Sequence, residues 1–362
     1  MASRADAPRQ RVPEGSGRRV VPGIHDVAAR AGVSTATVSR ALRGVDRVSA
    51  QTRERVLLAA AQLGYVPSPS AASLASGRTG VVGVIAPFLS RWFFAHALDG
   101  VERGLRADGL HVLLSNVGET RSSRSRLLDD QLLRRRVDAV LVLACDLAPA
   151  EVLLLEDLHV PVVTVGVDVP GWHRVGIDDV AAGRSAMEHL MELGHRWTAY
   201  VGGDRVHDVN LATAVDRRAG IRQAARAAGA PAPRELVGDW TIAGGDAAGE
   251  RLLAAARPPT AIVAASDEMA VGVLCAARRR GVRVPEELSV VGFDDHEFAV
   301  THGLTTVSQP VDALGAAAAA VLVDVLRHGQ PPARRSITLP TQLVVRTSSG
   351  PASAVDAVRA RR

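Results

Sequence analysis

A small helical head joined to an α/β core of two similar layers is the fold class this sequence predicts, from three observations. From residue 80 onward, β-branched and wholly apolar runs alternate with helical stretches, the pattern of buried parallel strands and their crossover helices. Residues 24–64 carry helical periodicity only. Charge is divided in the same place. Residues 1–79 hold 12 Arg against Asp6, Glu14, Asp26, Asp46 and Glu54, a net of +7, while the other 283 residues hold 31 Arg against 33 acids, a net of −2. A basic head on a near-neutral body points to a polyanion partner for the head and a separate task for the body.

The 362 residues, 47% hydrophobic and 22% charged, suit a soluble chain of two or three domains. Cys145 and Cys275 are the only cysteines, each inside an apolar stretch. They exclude a disulfide scaffold and a cysteine zinc site, and read as two buried thiols in a reducing cytoplasm. No apolar run reaches the roughly 18 residues of a membrane span, and the Arg- and Pro-bearing N-terminus has no apolar export core. A cytoplasmic protein with no membrane segment is expected.

Residues 1–22 mix Arg, Pro, Gly and Ser without periodicity and read as a disordered basic arm. The arm grazes phosphates, is an inert extension, or reflects a misplaced start. Three short helices follow. His25–Ala31 leads to a turn at Gly32–Val33, Ser34 caps Thr35–Leu42, and Ser49 caps a segment that runs to Leu63, closes at Gly64 and stops before Pro67. Val27, Val33, Val38, Leu42, Val56 and Leu63 are its expected core. The bridge 68–79 has an Ala-Ala-Ser-Leu-Ala centre too short to be a stable helix alone.

In the body, strands are expected at Val81–Ala86, His111–Ser115, Asp138–Leu143 and Val160–Val165, then at Thr198–Gly202, Leu236–Trp240, Ala261–Ala265 and Ser289–Phe293. Helices are expected near 94–107, 123–135 and 149–157, then near 180–193, 212–228, 244–256 and 267–280. Crossings between the layers are placed at Gly176–Asp179, Asp294–Phe298 and Ser308–Pro310, with a ligand cleft at the carboxyl ends of the strands. A short tail, 348–362, reads as flexible and lacks leucine heptads.

In the head, Gly32 and the small pair Ala28-Ala29 suit a helix-turn-helix. Ser34, Thr37 and Ser39 are placed to donate to phosphates. Thr35, Ala36 and Arg40 are placed to face base edges, Arg40 suiting guanine O6/N7 and the smaller two thymine methyls. On this stretch alone an ordinary three-helix bundle with a polar face remains the alternative.

A wider pattern decides between them. Ile24-His25-Asp26-Val27-Ala28-Ala29-Arg30-Ala31-Gly32-Val33-Ser34, Thr37-Val38-Ser39-Arg40-Ala41-Leu42, Val48-Ser49, Thr52-Arg53 and Leu63-Gly64-Tyr65-Val66-Pro67 resemble the LacI/GalR family of bacterial transcription regulators. So do Gly194-His195-Arg196, Arg217-Arg218-Ala219-Gly220, Val290-Val291-Gly292-Phe293-Asp294-Asp295 and Leu304-Thr305-Thr306-Val307, in order and with similar spacing over residues 24–347.

The resemblance implies a lambda-repressor-like helix-turn-helix headpiece (23–67), a hinge helix (68–79) and a dimerising type I periplasmic-binding-protein-like core (80–347). Within that core the expected N-subdomain is 80–176 with 295–309, and the C-subdomain 177–294 with 310–347. It further implies that Leu74, beside Ala71, wedges into the minor groove of operator DNA from a hinge helix that folds only there. The sequence departs from the family at Arg43, where Asn is usual and an extra phosphate or base contact is expected. It departs also at Ser68-Pro69-Ser70, which replaces the usual Pro-Asn, and at Asp178-Asp179, which replaces Asp-Asn.

For the body, the resemblance implies that Arg217 forks onto ligand hydroxyls or carboxylate and that Asp294 accepts from sugar hydroxyls. Phe93, Phe94 and Trp240 fall at or past strand ends, where a ring could stack, with one of the two phenylalanines expected in the core. Ser266 and Asp267 add polar contacts, unless Asp267 only caps the next helix. A sugar or sugar derivative is the first choice of effector; a purine or other ring metabolite is the second. The expected function is thus an effector-controlled repressor, homodimeric on double-stranded DNA, with no cofactor besides its effector and no metal.

A sugar-binding transport protein would suit the body but not the basic head. An enzyme is not expected. GxSxG, Walker and HExxH motifs are absent, and Gly202-Gly203-Asp204 and Gly244-Gly245-Asp246 are too short for a dinucleotide fingerprint. Arg134–Arg136 and Arg278–Arg280, late in expected helices, suit solvated faces.

Overall fold

A computed structural model describes residues 22–42, 48–65, 77–117, 133–134, 136–203, 211–328 and 333–353. The arm 1–21, Arg43, Val66 and Pro67, the bridge 68–76 with Ala71 and Leu74, most of the expected helix 123–135, and the tail from 354 lie outside the described residues. The chain divides into two units, 1–77 and 78–362.

The first unit contains α1 (Ile24–Ala31), α2 (Thr35–Leu42) and α3 (Ala50–Leu63). Local chemistry sets each boundary. The Asp26 carboxylate accepts from the Gly23 N–H at 2.8 Å and starts α1. Gly32 ends it at φ +64°, a left-handed conformation that costs glycine little, and the Val33 N–H returns to the Ala28 carbonyl. Ser34 Oγ and Ser49 Oγ accept from the N–H groups of Thr37 and Thr52, which caps α2 and α3. Val27, Val38 and Val56 are fully buried at the centre with Ala28, Ala31, Ala41, Ala59 and Ala60, while Val33, Leu42 and Leu63 pack at its margin. Arg55 donates to the Ala31 carbonyl and Arg30 to Gln62 Oε1, tying α1 to α3.

The second unit holds two six-stranded sheets. The first uses β1 (Val81–Ala86), β2 (His111–Asn116), β3 (Ala139–Leu143), β4 (Val162–Val165) and β5 (His173–Gly176), with α4 (Trp92–Arg106) and α5 (Pro149–Glu156) between strands. The chain then passes to the second sheet through α6 (Asp179–Glu192), β6 (Thr198–Gly202), α7 (Leu211–Ala227), β7 (Arg234–Val237), α8 (Ile242–Leu253), β8 (Ala261–Ala264), α9 (Asp267–Arg279) and β9 (Ser289–Asp294). The short α10 (Glu297–Thr301) precedes β10 (Thr305–Ser308). After it come α11 (Val311–His328), β11 (Ser336–Thr338) and β12 (Gln342–Val344). Strand orders are β11-β5-β4-β3-β1-β2 and β12-β10-β9-β8-β6-β7. Every pairing is parallel except β10 with β12.

This topology corrects the expected division of the core. β10 pairs with β9, Thr306 opposite Gly292, so 295–308 stays with the second sheet rather than joining the first. Asp294–Phe298 is therefore not a crossing; the chain returns through α10 to the next strand of its own layer. It crosses at Gln309–Pro310, and α11 packs on α4 while β11 joins β5, which places 311–338 in the first layer. A further crossing at 339–341 delivers β12 to the second sheet. The crossing at 176–179 stands where expected.

Three smaller expectations also change. The strand expected at Leu236–Trp240 is β7, and it ends at Val237 because Gly238–Thr241 forms a tight turn with Asp239 at φ +53° and Trp240 at φ +54°. The tail expected to be flexible from 348 is bonded into the core as far as 352. Ser348 Oγ donates to the Val290 carbonyl, the Gly350 carbonyl meets buried His195 Nε2 at 3.0 Å, and the Ala352 N–H reaches the Leu193 carbonyl. Cys145 is buried, but Cys275 is exposed on α9.

Among the described residues no helix is long and apolar enough to cross a membrane. The inner strands of both sheets are almost fully buried, and Leu141, Leu143, Ile262 and Phe293 are among the largest enclosed side chains. Helices α6 and α7 approach unusually closely: a Cβ on Gly183 would stand 2.2 Å from the Arg217 carbonyl oxygen, and one on Gly220 1.9 Å from that of Val180. Only glycine permits that approach, which brings the Arg217 backbone directly against α6, the helix that carries Asp179.

Candidate functional site

In the head, α2 buries Val38 and Ala41 and leaves Ala36 and Arg40 exposed one turn apart. Thr35, Thr37 and Ser39 flank them, half-buried. Ser34 Oγ and Thr37 Oγ1 lie 2.9 Å apart, so the two hydroxyls fix the start of the helix as well as facing outward. The exposed face thus carries one guanidinium, small side chains and hydroxyls. Among the described residues of this face nothing bulky hinders close approach to a groove.

In the body, a chamber of about 60 Å³ opens where the carboxyl ends of the two sheets face each other. Six of the seven residues expected there line it: Phe93, Phe94, Arg217, Trp240, Ser266 and Asp294. Phe94 is 5% exposed and meets both Phe93 and Phe88 edge-on, at 5.3 and 5.5 Å between ring centres. Both phenylalanines border the chamber, and Phe94 also belongs to the buried core, as expected of one of the two, with Phe93 partly buried against it.

Arg217, only 4% exposed, is the centre of the polar side. Its Nε donates to Asp179 Oδ1 at 2.8 Å, its Nη1 to the Ala265 carbonyl at 2.6 Å, and its guanidinium lies over the Phe293 ring at 4.5 Å. Two edges of the fork are thereby spent on the protein, which fixes the orientation of the Nη2 end. Asp294 accepts from Gln309 Nε2 at 2.5 Å. Burial pushes its carboxyl up to about 7, against the opposing pull of Arg217 and Gln309. Asp294 also sits at φ +111° and Trp240 at φ +54°. With Ala144 at φ +38°, three non-glycine residues held in sparsely populated backbone conformations border one cavity, which is where such strain concentrates when a site is pre-formed.

Asp267 does not line the chamber. It is fully buried, and its carboxylate accepts from the His296 N–H at 2.8 Å and from Thr306 Oγ1 at 2.7 Å, bracing β10 and the loop before α10 against α9. The helix cap belongs to its neighbour: Ser266 Oγ accepts from the Met269 N–H and also borders the cavity.

Several lining residues escaped the sequence reading: Phe88, Arg91, Trp92, Asp179, Thr213, Glu268 and Gln309. Gln309 lies in the crossing at Ser308–Pro310 and Asp179 in the one at Gly176–Asp179, so both positions carried a usable signal. Asp179 does not supply the amide its position usually has; it holds Arg217. Asp178 caps α6 through the Ala181 N–H. Among the described residues no cluster of His, Cys, Asp or Glu could hold a metal ion.

Comparison with known proteins agrees with both parts. Residues 23–68 match the family model described as bacterial regulatory proteins, lacI family, and residues 187–349 match a periplasmic binding protein-like domain. The HTH-type transcriptional regulator CelR of Thermobifida fusca is 35% identical over 344 residues, covering 91% of this chain and 99% of its own. A solved complex of the transcriptional regulator CelR with cellobiose superposes with a TM-score of 0.68 at 34% identity, covering 90% of this chain and 99% of the other. The lac repressor dimer bound to operator and the anti-inducer ONPF superposes with a TM-score of 0.82 at 28% identity, over 91% and 99% of the two chains.

Proposed function

The chain belongs to the lacI family of bacterial regulatory proteins, and from that premise we propose that it is a repressor whose grip on operator DNA is set by a small ring-shaped effector held in the chamber. It is a DNA-binding regulator of transcription and not an enzyme. It acts as a homodimer on double-stranded DNA, as the lac repressor dimer solved on its operator does. Its place is therefore the cytoplasm, with the chromosome.

The observation that carries the effector reading is the buried Arg217–Asp179 pair set beside Asp294 within aromatic walls. Buried charges contribute little net stability, so a polar cluster kept at a cavity argues for a ligand. Arg217 and Asp294 offer a donor and an acceptor to vicinal hydroxyls, while Trp240 and Phe93 offer faces to a ring. A sugar or sugar derivative fits best, and the relative solved with cellobiose supports that class. A purine or other ring metabolite is the second reading, favoured by the aromatic wall. No further cofactor or metal is called for.

On the DNA, Ser34, Thr37 and Ser39 serve the phosphates, Thr35, Ala36 and Arg40 the bases, and Arg43 a phosphate or a base, with Ala71 and Leu74 contributing from the bridge. Fluorescence anisotropy of the full chain on a palindromic duplex from upstream of its own gene tests this. Binding should fall steeply with salt, and Arg40→Ala should cost about 1–3 kcal/mol on that duplex while leaving unrelated duplexes nearly unaffected. Sugars from a panel that also raise the melting temperature should change the operator affinity. Equal affinity for all duplexes in the wild type would remove sequence readout. A response to nucleobases alone would replace the sugar with the second reading.

A further inference from the structure

The mouth of the chamber is bridged by side chains from opposite layers. From the first turn of α4, the Trp92 Nε1–H donates to Glu297 Oε2 at 2.6 Å, reaching the start of α10. The Trp92 ring lies 5.0 Å from the His296 ring at an interplanar angle of 34°, and 4.4 Å from His96 on its own helix. His296 is firmly placed. Its N–H is bonded to buried Asp267, its Nδ1 accepts from the Phe298 N–H at 3.0 Å, and its ring stacks on Phe298 at 4.0 Å.

A second link runs beside the first. The Glu268 carboxylate, on α9, borders the chamber beside Arg91 and Trp92, and the Arg91 charge and the Trp92 backbone N–H both pull its carboxyl down against the rise that burial causes. One residue pair, 91–92, thus reaches the opposite layer at two points. The first bond is charge-assisted, and the indole adds apolar area that no simple ion pair would.

The size of the chamber follows from this bridge. Its floor is rigid strand ends and glycine-packed helices, whereas its roof is Trp92 and the groups that hold it. The chamber behind the bridge is small, about 60 Å³, and an occupant longer than one ring has to pass the Trp92–Glu297 bond.

We propose that Trp92, anchored through Glu297 and His296, is a specificity-determining clasp that fixes the width of the cleft and limits its occupant to a single sugar ring. This rests on the effector reading above and adds to it the class of ligand: monosaccharides admitted, disaccharides refused. Entry and release require the clasp to open, so its strength also sets how long a ligand stays.

Two measurements on the full chain separate the clasp from the ligand reading. In hydrogen exchange without added sugar, Trp92→Phe and Glu297→Leu should each speed exchange of the amides at 92–95 and 296–300 by roughly tenfold, the loss of one charge-assisted bond. The double variant should add nothing further, because both changes break the same bond. Wild-type exchange as fast as that of the variants, or additive effects, would overturn the clasp. Thermal shift with glucose, galactose, ribose, cellobiose and maltose then tests size. Wild-type protein should respond to monosaccharides only, and Trp92→Ala should gain a response to a disaccharide, with Glu297→Leu as the milder variant that keeps the indole. A disaccharide that shifts the wild type as much as its monomer overturns the size limit. No shift with any sugar in any of these proteins overturns the sugar reading and the limit together, while the exchange result still decides the clasp.

Discussion

The two walls of the chamber are built from different chemistry. The wall from the first layer is Phe88, Trp92, Phe93 and Phe94 with Val165, and Arg91 is its polar exception. The wall from the second is Arg217, Asp179, Ser266, Glu268 and Asp294, and Trp240 is its apolar exception. The first wall could be assembled by hydrophobic burial alone. The second opposes it, because it desolvates charges such as Arg217 and Asp179. An asymmetric cleft of this kind suits a ligand with one apolar face and one hydroxyl-bearing edge. Area comes from the aromatic side, orientation from the charged side.

The largest test of that contrast is Arg217→Met. It leaves Asp179 buried without its partner and removes the countercharge facing Asp294, so unfolding in urea should show a loss of about 3–5 kcal/mol. Phe93→Leu on the opposite wall keeps most of the apolar area and should cost under about 1.5 kcal/mol. Effector response should vanish in the first variant and weaken in the second. If Phe93→Leu proved the more destabilising, the walls would not differ in the way described.

The same contrast explains what was legible in the sequence. Elements bounded by local signals were read nearly in full. Gly32, Ser34, Ser49 and Gly64 mark the three helices of the head within a residue, because caps and left-handed glycines act on the backbone beside them. The apolar strands β1, β6 and β9 were equally plain. Long-range placement was not. Whether 295–308 pairs with β9 or with the other sheet depends on register between distant segments, and nothing in the run Leu304-Thr305-Thr306-Val307 states its partner. Helix α11, with its long alanine run, went unread, and with it the packing of α4 and the later crossings. The site shows the same division. Arg217 and Asp294 were found through motifs, whereas Arg91, Trp92 and Glu268 meet only after the two layers have been assembled. Asp267 misled because a carboxylate at a helix start looks alike whether it faces a cavity or braces a loop.

Next in size is the titration of Asp294. Its carboxyl is raised from an ordinary 3.8 to about 7, chiefly by burial. Below the ordinary value both folded and unfolded chains hold the proton and burial costs nothing. As pH rises toward 7 the unfolded chain has lost its proton and the folded one has not, so stability declines through that window and levels off above it. The gap corresponds to at most roughly 4 kcal/mol. Asp294→Asn should therefore gain in melting temperature relative to the wild type as pH increases from 5 to 8. A difference constant across that range would show the carboxylate to be well solvated and the charged wall less costly than inferred.

Gln309→Leu should have the smallest effect and would sharpen the contrast most. Gln309 is nearly buried in the crossing between layers, and its Nε2–H bond to Asp294 favours the ionised carboxylate. Leucine keeps the volume and removes the donor, so the carboxyl should move higher still and the pH window with it. A hydrogen bond to a charged group is worth about 1.5–3 kcal/mol. That loss should be seen at pH 8, where Asp294 is ionised, and shrink at pH 5, where the protonated carboxyl needs the donor less. Denaturant midpoints at the two pH values measure it directly. An equal loss at both would mean that Gln309 acts by packing the crossing, and the charge on the second wall would then rest on Arg217 alone.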